Sequence, residues 1–136
     1  MNAKLIFRHP LPNGLTLEFW NHSRLIAGDR WHMSLEARIS IRITPDTLPS
    51  ELRGQAIQAR ALLGEEVVFS RKDVRNFIAA TEAPVVLKDM QDRFLVMAPG
   101  YFGHPDFAAK FIRRKFAEKQ ERKSWQQSTP PPDDTA

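Results

Sequence analysis

The sequence predicts an α+β fold, with an N-terminal three-stranded antiparallel β-meander covered on one face by about four C-terminal helices. Three observations carry this expectation. Residues 32–44, HMSLEARISIRIT, place Met33, Leu35, Ala37, Ile39, Ile41 and Ile43 at every odd position and polar or charged residues between them. A strand points successive side chains to opposite faces, so this run is a long strand with one apolar and one polar side. Two shorter alternating runs precede it around Pro12-Asn13-Gly14, the turn chemistry of a hairpin. After Pro45 apolar residues recur at spacings of three and four, the helical period. An apolar sheet face must be covered, and the later half supplies the helices to cover it.

Taken in order, residues 3–9 form a short first strand and residues 15–20 a second, with Leu5, Phe7, Leu15, Leu17 and Phe19 expected on the apolar side. Residues 21–31, NHSRLIAGDRW, contain Asn, Ser, Gly and Asp and read as an irregular loop before the long third strand. Leu52, Ala56, Ala59 and Leu63 form one helical stripe, weakened by Gly54 and stopped by Gly64. Glu65 to Phe69 reads as a short strand or an extended linker. Ser70-Arg71-Lys72-Asp73 resembles a capping box ahead of Val74, Phe77 and Ile78, which predicts a second helix. Leu87, Met90, Phe94 and Met97 predict a third over residues 84–97, stopped by Pro99-Gly100. Pro105 opens a fourth that buries Phe107, Phe111, Ile112 and Phe116. Its polar end, residues 117–124, is expected to project from a single domain of residues 1–124. Residues 125–136, with three consecutive prolines, are expected to be a disordered tail.

A chain of 136 residues can bury one sizeable core. It has no cysteine, which excludes disulfides, thiolate metal ligands and thiol catalysis. No run approaches the ~20 apolar residues of a membrane helix, and the N-terminus lacks the features of a secretory signal, so a cytoplasmic location is expected. The net charge of +4 is concentrated. Residues 1–109 hold 13 basic and 12 acidic side chains, whereas residues 110–124 hold 7 basic and 2 acidic. Such a cluster is a solvated helix end or a handle for an acidic partner.

No GxSxG, P-loop or GxGxxG sequence is present, and His9, His22, His32 and His104 have no partner at helical metal-site spacing. No catalytic, cofactor or metal residue is assigned. Arg38 and Arg42 share the spacing of the arginine pair in bacterial PilZ domains, which bind cyclic diguanylate. The Asn21-x-Ser23 and Gly28 residues of the matching box lie upstream instead of downstream, with a longer serine-to-glycine gap, so membership is not assigned. Two groups of residues are candidates for binding. One is the loop group His22, Arg24, Asp29, Arg30 and Trp31, since loops between strands often carry function; turn capping and local ion pairs explain the same residues structurally. The other is a basic contact surface of Trp20, Arg38 and Arg42 with Lys110, Arg113, Arg114, Lys115, Lys119 and Arg122. The expected role is a small cytoplasmic, non-enzymatic protein-interaction or regulatory module, with a protein partner or a homodimer through the sheet. Beside it stand nucleic-acid binding through the basic helix and sheet arginines, and an enzyme with an unrecognised site in the 22–32 loop.

Overall fold

The computed structural model describes residues 3–128. The described residues form an α+β arrangement of five antiparallel strands and three α-helices. The strands are β1 (Lys4–Pro10), β2 (Thr16–Asn21), β3 (Arg24–Ala27), β4 (Arg30–Arg42) and β5 (Glu66–Ala79); the helices are α1 (Ala56–Leu63), α2 (Ala83–Val96) and α3 (Phe107–Ser128). A 3-10 turn, Ser50–Gln55, precedes α1, and a π turn, Ala98–Phe102, follows α2. The described residues form two compact units, 3–41 with 68–107, and 42–67 with 108–128.

In the first unit β4 is the organising strand. Its odd residues Met33, Leu35, Ala37, Ile39 and Ile41 are all buried, as the alternation predicts. β2 pairs with it from Leu17↔Ile39 to Asn21↔Leu35. The expected loop at 21–31 is instead a continuation of that ladder. His22 N–H donates to the Ser34 carbonyl, and β3 pairs Arg24↔His32 and Leu25↔Trp31. These pairs keep one register, so β2 and β3 lie end to end along one edge of β4. The turn comes only at Gly28, whose φ of 56° suits glycine better than a side-chain-bearing residue. Leu25 and Ile26 fit a pleated surface, and the polar residues around them do not outweigh the ladder.

The predicted helix after Ser70 is also a strand. β5 pairs with β4 along its remaining edge. The local capping-box pattern loses to a tertiary demand: β4 is nearly buried, and its backbone N–H and C=O groups need partners on both sides. Val67 and Phe69 point inward, and Phe69 meets Phe102 and Phe107 edge-on at 5.6 and 5.3 Å. α2 lies on the same side of the sheet, with Phe94 against Phe19 at 5.9 Å and Asp89 beside Arg75 of β5. The π turn is tied to the first hairpin, whose Asn13 Nδ2 donates to the Phe102 and His104 carbonyls at 2.9 Å each.

β1 carries a bulge between Leu5 and Phe7. A bulge moves the residues beyond it to the other side. Leu5 therefore pairs with Trp20 on the polar face, and Lys4 pairs with Asn21 on the apolar one, reversing the sides expected for both.

In the second unit the expected 52–63 stripe is split at Gly54 into the 3-10 turn and α1. Gly64, at φ 89°, stops α1 and donates to the Arg60 carbonyl. Leu52, Ala59, Ile112 and Phe116 are buried, and Arg113 of α3 pairs with Glu51. The hydrogen bonds from Arg113 are the leading cause that holds the Glu51 carboxyl below its ordinary value. α3 runs through Ser128. The rest of the proline-rich segment, 129–136, lies outside the described residues.

Candidate functional site

The polar face of β4 gathers its side chains around one carboxylate. Glu36 is 5% exposed although it sits on the side expected to be wet. Cross-strand pairing brings Trp20 directly opposite it, and β5 adds Ser70. The Glu36 carboxylate accepts from His22 Nε2 at 2.7 Å, from Arg38 at 2.9 Å, and from Ser70 Oγ at 2.5 Å. A longer contact of 3.4 Å runs from Arg38 Nε. Arg38 in turn lies over the Trp20 ring, 4.5 Å from its centroid, a cation–π contact. Trp20 Nε1 donates to Glu18 at 2.9 Å, and Glu18 faces Arg8 at 3.4 Å. The result is a continuous polar chain from β1 across β2 and β4 to β5.

Burial by itself would push the Glu36 carboxyl up. The hydrogen bonds from Ser70, Arg38 and His22, with the charge of Arg38, outweigh burial and hold it at about 2. Both its oxygens are engaged by donors, and its affinity for a proton is low. It is poorly matched to general-base work, which favours a pKa near the working pH. The Ser70 hydroxyl is engaged as a donor to this carboxylate. Among the described residues no group of three histidine or acidic side chains is gathered as metal ligands.

Of the residues singled out from the sequence, Trp20, His22 and Arg38 come together here. Arg24 pairs beside His32, whose Nδ1 donates to Asn76 on β5. Asp29 and Arg30 are at the exposed hairpin tip, 3.7 Å apart, and Trp31 sits opposite Leu25 on the other side of the sheet. Arg42 belongs to the second unit, as do the α3 cations. Of those, Arg113 pairs with Glu51, Lys115 with Glu118, and Arg114 and Lys115 lie over Phe111; Lys110, Lys119 and Arg122 are exposed.

No protein-family model matches the chain, and comparisons with curated proteins and with solved structures give no significant match.

Sequence reasoning missed Glu36 as the centre and Ser70 as a member. The burial of Glu36 follows from its register on a central strand, and the place of Ser70 depends on β5 being a strand. One signal was available for His22. It lies two residues beyond Trp20, on the same face if β2 simply continues, and the β4 alternation then places it near Glu36.

Proposed function

We propose that this chain is a small, non-enzymatic protein-interaction module of the cytoplasm whose contact surface is the polar face of its sheet. The Trp20–Arg38 stack, fixed in place from behind by Glu36, carries this reading. Tryptophan and arginine dominate the energetics of protein interfaces. A partner binding rigid, pre-oriented side chains avoids much of the ordering cost of association. The ionised, fully engaged Glu36 supports a positioning role over a reactive one.

A photo-reactive side chain at Ser40, an exposed position on the same face of β4, tests the reading. Protein adducts, whether to a second copy or to another chain, are expected from this position and should be lost in Trp20→Ala. Equal adducts from a control position at Gln120 of α3, or adducts to nucleic acid alone, overturn it. The nucleic-acid outcome would favour the second reading, in which the exposed α3 cations Lys110, Lys119 and Arg122 contact phosphates. Its signature is an affinity that falls steeply with salt.

A further inference from the structure

We infer that the second unit carries a binding cleft for a small phosphate monoester with an apolar group. The cleft encloses about 590 Å³ and is lined by Arg42, Ile43, Thr44, Ile57, Arg60, Ala61 and Glu65. That volume is within the range of small-molecule sites, ~300–1,000 Å³. This inference is independent of the reading of the polar sheet face.

The walls are built on a hydrogen-bonded junction. Ile43 N–H donates to the Glu65 carbonyl at 2.9 Å, and the Ile43 carbonyl accepts from Arg60 Nε at 3.0 Å. The Arg42 carbonyl accepts from Thr47 Oγ1 at 2.6 Å, and Thr44 N–H donates to the same hydroxyl at 2.9 Å. The turn that follows β4 is thereby closed on itself. Anchoring through Nε fixes the Arg60 guanidinium and leaves its two terminal amino groups free to donate. Arg42 ends β4 with its side chain exposed. Among the described residues neither guanidinium has an ion-pair partner within 4.0 Å, and Glu65 in the same cleft has none either.

Two unpaired cations in one concavity repel each other, and an anion between them removes that repulsion. Guanidinium forks match phosphate oxygens in geometry as well as charge. A planar carboxylate is satisfied by one fork, whereas a tetrahedral phosphoryl group can take donors from two directions. Glu65 leaves the cleft with a net charge of one, which disfavours a highly charged polyanion. Ile57, 79% exposed, and Ala61 supply an apolar wall, which selects for a monoester with a ring or alkyl group over inorganic phosphate.

The test is a titration of the full chain with phenyl phosphate, followed by calorimetry and by amide NMR shifts at Thr44 and Glu65, at constant ionic strength. Saturable binding is expected. Arg42→Gln and Arg60→Gln should each weaken it by about tenfold or more, the effect of losing a charge-assisted hydrogen bond. Ile57→Ser should weaken phenyl phosphate and leave inorganic phosphate unchanged, and benzoate should bind at least about tenfold more weakly than phenyl phosphate. Arg42 is exposed and makes no ion pair among the described residues, so its variant is expected to fold as the parent does, which circular dichroism checks. Shifts that rise linearly without saturating, equal affinity in Arg42→Gln, or equal affinity for benzoate overturn the assignment.

Discussion

Replacing Glu36 by Gln keeps the size of the side chain and removes its charge. The consequence can be worked from the site. Moving a carboxyl from its ordinary 4.5 to about 2 stabilises the folded state by about 3 kcal/mol at neutral pH. A glutamine retains one acceptor oxygen, but its amide hydrogens face groups that are themselves donors, and Arg38 loses its counter-charge. The expected loss is therefore about 3 kcal/mol, at the lower end of the range for breaking a buried ion pair. The pH dependence follows from the direction of the shift. Above about pH 5 the carboxylate is ionised in both folded and unfolded chains and the full contribution is present. As pH falls through 4.5 the unfolded chain takes up a proton first. The advantage of the parent over the variant then shrinks, and it is exhausted near pH 2. Urea unfolding followed by circular dichroism at pH 7, 5, 4 and 3 measures both quantities. A Glu36→Gln variant within about 0.5 kcal/mol of the parent at pH 7, a shift typical of an uninvolved surface position, would refute the reasoning. So would a gap that stays constant on acidification.

Ser70→Ala removes one donor from the same carboxylate and is expected to cost about 1–2 kcal/mol in urea unfolding and to raise the pKa of Glu36. Phe77 has a φ of 57° and is 71% exposed. Phe77→Gly should relieve about 1–2 kcal/mol of left-handed strain against about 0.5–1 kcal/mol of added chain entropy, so stability should hold or rise slightly; a loss above about 1 kcal/mol contradicts this. A Cβ on Gly103 would clash with the Ala98 carbonyl oxygen and with Pro12 Cδ. Gly103→Ala is expected to lower stability by about 1–3 kcal/mol, the cost of forced overpacking, and to lower the melting temperature. Ile39→Ala, at the centre of the fully buried face of β4, should cost about 2–5 kcal/mol.

The α+β class and the two faces of β4 were legible in the sequence, because six apolar residues at period two leave little room for another reading. The first and last helices were legible from their stripes, and even the weakness at Gly54 appears as the break between the 3-10 turn and α1. Residues 21–31 and 70–79 were misread for a shared reason. Each contains local turn or cap chemistry, Asn21 and Ser23 in one and Ser70 with Asp73 in the other. In each the demand of β4 for backbone partners overrides it. The site was half legible for the same reason. Trp20 and Arg38 are on strands that the alternation identifies, whereas His22 and Ser70 are on the two segments that pairing with β4 converts to strand. Glu36 looked like an ordinary solvated residue because alternation gives the face a side chain takes, and burial on that face depends on the neighbours that flank it.

The direct measurement is a carbon-13 NMR titration of the Glu36 side-chain carboxyl in the folded protein. A midpoint near pH 2 is predicted, with the resonance unmoved from pH 7 to pH 4. A midpoint at or above the ordinary 4.5 would mean that the donors from Ser70, Arg38 and His22 do not hold the carboxylate, and that the Trp20–Arg38 surface lacks the support assigned to it.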